Sequence, residues 1–159
     1  MITWHSFAGK RIIRKTGSTS GYGVVVGTEN IPLLKSLLSR TSLSLIALER
    51  DPGRIAYLRT YFDSLGVASY RLSFLNVEET LSFLPKYFSS LTVVADPDYL
   101  NDDNTDILHH IFESTRPYDG KIWIQARGRI KRDLKRTVAG LDLYGADLRA
   151  GLGYVRISR

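Results

Sequence analysis

The stretch from residue 22 to residue 51 constrains the fold of this chain more than any other. It opens with the apolar run Tyr22–Val26, turns at Gly27, continues with leucines at helical spacing, and ends in a second apolar run that stops at Glu49. An uninterrupted apolar run rich in β-branched residues is typical of a strand buried on both faces, as in a parallel sheet. The stretch therefore predicts a strand–turn–helix–strand unit with two parallel strands.

The rest of the chain continues this alternation and then departs from it. Apolar runs and helical spacings predict strands over 70–74, 91–96 and 121–125, and helices over 52–65, 78–87, 102–114 and 127–138. Residues 141–148 and 153–158 instead alternate in polarity around a glycine-bearing turn, which predicts an antiparallel hairpin. With right-handed crossovers, the prediction is an α/β fold: a doubly wound, mostly parallel seven-stranded sheet with a C-terminal β-hairpin.

Length and composition limit the kinds of protein that this chain can be. Its 159 residues suit one domain, and we predict a lead-in segment and linker over 1–20 followed by the domain over 21–159. The absence of cysteine excludes disulfides, thiolate metal sites and a cysteine nucleophile. No apolar run reaches the roughly 18 residues that a membrane span needs. We expect a cytoplasmic location if the chain is complete.

The net charge of +6 belongs to the C-terminal part of the chain. Residues 1–120 contain 12 Lys/Arg and 13 Asp/Glu, a net charge of −1, whereas residues 121–159 contain 10 and 3, a net charge of +7. Much of this charge lies on the predicted basic helix over 127–136, where Asp133 is the one acid. A solvated helix face, a contact with an acidic partner protein, and a contact with nucleic-acid phosphates all fit this pattern. Aromatic residues for base stacking are absent from this segment, which argues against specific nucleic-acid binding there.

Four residues at predicted strand ends are candidates for a ligand site: Gly27, Glu49, Asn76 and Asp96. Glu49 follows Gly27 by 22 residues, and in nucleotide-binding βαβ units an acid about 20 residues past the first glycine meets the ribose hydroxyls. Each residue also has a local alternative. These are a turn glycine for Gly27, solvation or an ion pair with a nearby arginine for Glu49, and helix capping for Asn76 and Asp96.

Across residues 21–159 the chain resembles the class I S-adenosylmethionine-dependent methyltransferases, on the strand order and on these four residues. The resemblance implies S-adenosylmethionine as cofactor, with Gly27 in the methionine-side turn, Glu49 as the ribose-binding acid, Asn76 beside adenine, and Asp96 at the substrate-side strand end. It also implies that the hairpin inserts one antiparallel strand beside the fifth strand. A narrower likeness, over 49–96, is to methyltransferase-like modules attached to quinoprotein-type propeller proteins.

The cofactor turn departs from the pattern of that family. Of the closely spaced glycines, only Gly27 is present, and Glu29 and Ile31 occupy the other two places. Glycines there let the backbone approach the ligand, and the carboxylate of Glu29 would repel the carboxylate of the methionine moiety. The sequence thus predicts a degenerate cofactor loop.

Three functions remain open at this point. The degenerate loop favours a methyltransferase-like domain with weakened or lost cofactor binding that serves as a structural or interaction module. The alternatives are an active methyltransferase on a small molecule or nucleic acid, and a basic nucleic-acid-binding domain. No metal site is predicted, because the adjacent His109 and His110 would point about 100° apart on a helix.

Overall fold

The computed structural model describes residues 4–100, 106–141 and 143–159. The strands are β1 Tyr22–Val26, β2 Ser44–Glu49, β3 Leu72–Asn76, β4 Ser89–Val94, β5 Lys121–Gln125, β6 Asp147–Gly151 and β7 Tyr154–Ser158. The helices are α1 Trp4–Thr16, α2 Ile31–Arg40, α3 Pro52–Ser64, α4 Val77–Leu81, α5 Asp106–Ser114 and α6 Gly128–Gly140. A 3-10 helix covers Pro97–Leu100.

All seven strands form one sheet in the order β3-β2-β1-β4-β5-β7-β6. The first five strands are mutually parallel. β7 inserts antiparallel between β5 and β6, with Lys121 opposite Ser158. This arrangement confirms the predicted seven-stranded, mostly parallel sheet and its terminal hairpin. The chain reverses its direction of winding between β1 and β4, which are neighbours in the sheet.

Two apolar cores cover the two faces of the sheet. Side chains of α1, α2 and α3 pack on one face, around Val25, and side chains of α4, α5 and α6 pack on the other, around Val24 and Val26. Alternation along a strand sends neighbouring side chains to opposite faces, so one valine run serves both cores. Along the central strands Ile46 is partly buried, and the buried apolar residues include Val24, Val26, Leu45, Val93, Val94, Ile122 and Ile124.

One predicted helix and the predicted lead-in segment differ from what is observed. The helix predicted over 78–87 is wrong in length, because α4 ends at Leu81. Pro85 explains the early end, since proline lacks a backbone donor and disfavours helical geometry at the residue before it. The segment predicted as a lead-in and linker contains the 13-residue helix α1, whose Ile12 is fully buried. The predicted start of α5 near residue 102 lies outside the described residues.

Within the described ranges, no helix is long and apolar enough to cross a membrane.

Candidate cofactor site

The loops that follow β1, β2, β3 and β4 lie along one side of the sheet, which we name the carboxyl edge (residues 27–30, 50–51, 76–77 and 95–100). In doubly wound sheets, ligands bind outside the carboxyl ends of the strands, at the point where the winding reverses. The structure brings the four predicted residues to this edge. Glu49 pairs with Asn76 in the β2–β3 register, and Gly27 contacts β2 through a 3.0 Å hydrogen bond from its amide to the Leu48 carbonyl.

Gly27 occupies a position that only glycine fills without strain. Its φ is +93°, in the left-handed region that L residues avoid. A Cβ there would lie 3.0 Å from the Cβ of Asp96 and 3.5 Å from a ring carbon of Tyr99. Close packing of its own chain therefore requires a glycine at this turn, and its role toward a cofactor stays a prediction.

Glu49 is buried at the end of β2, with 6% of its surface exposed, and its carboxylate accepts four hydrogen bonds from the chain itself. One oxygen accepts from the Thr28 hydroxyl at 2.5 Å. The other accepts from the Tyr99 hydroxyl at 2.9 Å and from the amides of Arg50 at 2.8 Å and Asp51 at 3.2 Å. The acid predicted to accept hydrogen bonds from ribose hydroxyls thus accepts them from two hydroxyls of the protein.

Arg54 connects the first turn of α3 to the same group. Its Nε lies 3.9 Å from the nearer Glu49 oxygen and donates to the Thr28 hydroxyl at 3.1 Å, while Nη2 donates to the Thr28 carbonyl at 2.7 Å. The alternative of an arginine partner for Glu49 is therefore realised. Thr28 is fully buried between the two.

The protonation states of the Glu49–Tyr99 pair follow from these contacts. Burial by itself would raise the pKa of Glu49, but hydrogen bonds from Thr28, the Asp51 amide, Tyr99 and the Arg50 amide outweigh it, so the pKa lies below its usual value. Burial, and then the hydrogen bond to the Glu49 carboxylate, raise the pKa of Tyr99 to about 12. At neutral pH the carboxylate is ionised and the phenol is a fixed donor.

The 3-10 helix after β4 places Tyr99 against the Gly27 turn. The Asp96 carboxylate accepts from the Asp98 amide at 3.0 Å and so holds the first turn of this helix. The Tyr99 ring is 6% exposed, and the Arg50 guanidinium carbon lies 4.4 Å from its centroid. The ring is therefore held from both sides, by the turn and by a cation–π contact.

Asn76 and Asn30 act as helix caps. The Asn76 side-chain oxygen accepts from the amides of Glu78 at 2.9 Å and Glu79 at 3.1 Å at the start of α4. The Asn30 side chain accepts from the Leu33 amide at 3.0 Å at the start of α2. The capping alternative for Asn76 is thus realised, and contact with adenine remains a prediction. Glu29, between these elements, is exposed.

Sequence reasoning missed the two hydroxyl donors to Glu49. Neither Thr28, the residue after Gly27, nor Tyr99, three residues after Asp96, was among the predicted site residues. One signal was available. Both residues follow strands that neighbour each other in the sheet, so their side chains reach the same edge as Glu49.

The basic helix α6 lies away from this network, on the face of the second core. Its Leu134 and Val138 are buried against the sheet, whereas Ile130, at the same helical spacing, is 43% exposed. Its polar side forms a shallow recess of about 410 Å³ lined by Arg129, Arg132, Asp133 and Arg136. Among the described residues, no cluster of three or more His, Asp or Glu could hold a metal ion.

No protein-family model and no curated protein sequence matches this chain. Solved structures do match. A candidate S-adenosyl-L-methionine-dependent methyltransferase from Methanococcus maripaludis superposes with a TM-score of 0.74 at 15% identity, over 98% of this chain and 84% of that one. A SAM-dependent methyltransferase from Aquifex aeolicus gives 0.72 at 14% identity, over 96% and 89%. Precorrin-6y C5,15-methyltransferase from Geobacter metallireducens GS-15 gives 0.70 at 13%, over 95% and 85%.

Identities this low establish the fold and not the activity. The match extends over nearly the whole chain and includes the inserted antiparallel strand β7. The narrower likeness to propeller-attached modules stays a prediction. The chain has the Rossmann-like fold of the class I S-adenosylmethionine-dependent methyltransferases.

Proposed function

We propose that this domain keeps the methyltransferase fold, has lost S-adenosylmethionine binding, and serves as an interaction module. The observation behind the proposal is the Glu49 carboxylate, which accepts hydroxyls from Thr28 and Tyr99 at the place where a ribose would offer its own. A ribose would have to displace both of these donors. Displacement leaves buried hydroxyls without an acceptor, and each such loss costs about 1–3 kcal/mol.

The position of the Tyr99 ring supports the same proposal. Its nearest ring carbon lies 3.5 Å from the point where a Cβ on Gly27 would be. A glycine at this turn normally lets the cofactor approach the backbone. Here Asp96 and the Tyr99 ring occupy the space on the Cβ side of Gly27, and a ligand that approached the backbone from that side would have to displace them.

For the partner of this module, we propose an acidic protein surface at α6. Three arginines of the recess, at positions 129, 132 and 136, recur at helical spacing and leave one carboxylate, Asp133, among them. Arginine suits such contacts because its planar guanidinium binds carboxylates in pairs of hydrogen bonds.

Thermal unfolding with ligand tests the loss of cofactor binding. A ligand present at 100 times its Kd would stabilise the native state by about 2.7 kcal/mol, which for a domain of this size raises Tm by roughly 5–10 °C. We expect no such shift with millimolar S-adenosylmethionine or S-adenosylhomocysteine, while a working methyltransferase of the same fold shifts under identical conditions.

A variant pair shows whether any shift arises at this site. If the wild type shifts, if Glu49→Ala abolishes calorimetric binding, and if Glu78→Ala at the exposed start of α4 leaves it intact, the cofactor site works and the proposal is wrong.

A further inference from the structure

The opposite side of the sheet has a composition unlike the rest of the surface. We name it the amino edge: the segments that lead into β1, β4 and β5 (residues 20–22, 85–89 and 115–121), with the starts of β3 and β6 as flanks. Five of the nine tyrosines in the chain lie here, and all are exposed: Tyr22 at 50%, Tyr70 at 78%, Tyr87 at 54%, Tyr118 at 96% and Tyr144 at 95%. They are far apart in sequence, and strand order alone brings them to one edge.

The central tyrosines form a connected surface with basic side chains. Tyr22 stacks on Phe88 with ring centroids 4.4 Å apart. Tyr87, the neighbour of Phe88 in the chain, has the Arg159 guanidinium carbon 4.8 Å from its ring centroid. The Arg159 amide donates to the Gly120 carbonyl at 3.1 Å, which joins this group to the turn that contains Tyr118.

Two of these tyrosines have an unfavourable backbone. Tyr87 has a φ of +60° and Tyr118 a φ of +74°, and they are the non-glycine residues with positive φ among those described. A bulky residue in this region costs on the order of 1–3 kcal/mol. Packing does not offset the cost at Tyr118, because the side chain is almost entirely in solvent. Strain that brings no internal contact is typical of residues held for an external one.

The charge of the central surface favours an anionic occupant. Arg116, Lys121 and Arg159 have no ion-pair partner among the described residues, whereas Glu113 is paired with Lys86 at 3.6 Å. Nη1 of Arg159 donates to the carbonyls of Phe112, Glu113 and Thr115, which fixes its guanidinium at this edge. Asp119 is the remaining acid of this group. Exposed rings interleaved with cations are the surface on which single-stranded nucleic acids bind, since bases stack on the rings and phosphates meet the cations.

We propose that the amino edge binds single-stranded nucleic acid through Tyr87 and Tyr118, with Tyr22 beside them and Arg116, Lys121 and Arg159 as phosphate contacts. A duplex fits this surface less well, because its bases are already stacked on one another and cannot reach the rings. The proposal concerns the side of the sheet opposite to the cofactor site, and it holds whether or not that site takes a nucleoside.

The test is fluorescence anisotropy of the whole chain with a labelled oligothymidine of about 15 nucleotides, within the range of known site sizes. We expect binding that prefers the single strand to a duplex of equal length. Three phosphate contacts predict that log K falls with log salt at a slope of about −2.

Substitutions at Tyr118 separate stacking from folding. Tyr118→Gly removes the ring and relieves the positive φ, so it should weaken binding about 5- to 150-fold, the range of one stacking contact, without lowering Tm. Tyr118→Phe keeps the ring and should bind as the wild type does. Tyr57→Ala, which removes an exposed ring from α3, is the control elsewhere and should also leave binding unchanged.

Three results would overturn the proposal. One is no binding of the oligonucleotide by the wild type at low salt. Another is equal affinity for duplex and single strand. The third is unchanged affinity in a Tyr87→Gly, Tyr118→Gly double variant that stays folded, which would leave the edge to a protein partner.

Discussion

The two edges of this sheet treat their polar groups in opposite ways. At the carboxyl edge, the buried Glu49 meets hydroxyl and amide donors from three different loops of the chain. At the amino edge, tyrosine rings and cations extend into solvent, and two of the rings are on strained backbone. In doubly wound proteins the carboxyl edge is the usual ligand side. Here the polar groups of the carboxyl edge are hydrogen-bonded within the chain, and the exposed rings and cations lie at the amino edge.

The two edges differ in where the partners of their polar groups come from. A buried carboxylate must be hydrogen-bonded, and either a ligand or the protein supplies the donors. Here Thr28 and Tyr99 supply two of them, and under the proposed function Glu49 contributes to the stability of the fold rather than to binding. An acid at this position can therefore serve a ligand or the fold, and only the source of its hydrogen-bond donors distinguishes the two roles.

Replacement of Glu49 has the largest expected effect on this comparison. Glu49→Ala should destabilise the fold by about 3 kcal/mol. The substitution leaves two buried hydroxyls without their acceptor and removes the carboxylate beside Arg54. Tm should fall by about 6–12 °C, measured by calorimetry. An acid reserved for an absent ligand behaves differently, since its removal commonly stabilises the free protein. A gain in Tm for Glu49→Ala would thus contradict the view that hydrogen bonds from the chain itself make Glu49 a stabilising residue.

Removal of a single donor should have about half that effect. Tyr99→Phe deletes the hydroxyl that donates to Glu49 at 2.9 Å and keeps the ring against Gly27, so we expect a loss of about 1–2 kcal/mol in urea unfolding. Tyr57→Phe, at a position 57% exposed, is the matched control and should change nothing. Equal effects of the two variants would show that the Tyr99 hydroxyl contributes no net stability.

Low pH should reduce the free energy of unfolding through protonation of Glu49. Its pKa is lowered in the folded state, so its contribution is complete above the unfolded value near 4.5 and is lost as pH falls through the folded pKa. Urea unfolding over this range should show the wild type losing stability more steeply than Glu49→Gln. Parallel pH profiles of the two proteins would mean that the hydrogen bonds do not favour the ionised form.

Charge reversal on α6 should have the smallest effect and separates that helix from the amino edge. Arg129→Glu with Arg132→Glu lies at the end of α6 nearest the carboxyl edge and leaves Leu134 and Val138 untouched, so stability should change by less than about 0.5 kcal/mol. At about 0.15 M salt, charges farther than roughly 8 Å from the oligonucleotide are largely screened. Affinity for oligothymidine should therefore change less than threefold, whereas binding to the proposed acidic protein partner should be lost.

A loss of oligonucleotide binding in this α6 variant, with Tyr118→Gly unaffected, would move the nucleic-acid contact from the amino edge to the helix.

Much of the architecture was predictable from local patterns. The β-branched run at 22–26 indicated a buried parallel strand, and the polarity change after residue 140 indicated the hairpin that places β7 beside β5. The helix predicted over 78–87 was wrong because its apolar spacing was weighed above Pro85, a local signal that was also present. The likeness to the methyltransferase fold rested on these patterns and is confirmed by the solved structures.

The location of the candidate site was predictable from the sequence, but the hydrogen-bond partners of its residues were not. Gly27, Glu49, Asn76 and Asp96 were expected at strand ends, and parallel strands bring such ends to one edge whatever the side chains do. Whether Glu49 faces a pocket or a hydroxyl of its own chain depends on distances of a few ångströms between loops that sequence spacing does not encode.

By itself, the sequence determined the order of strands and helices, the handedness of the windings and the glycine turn, because each depends on local periodicity and backbone sterics. Only the tertiary structure decided which residues meet. Thr28, Glu49 and Tyr99 span 72 positions and share one hydrogen-bonded group, and Tyr22 and Tyr118 span 97 and share one edge. Contacts of this range arise only when the whole sheet is assembled, since no local segment can form them alone.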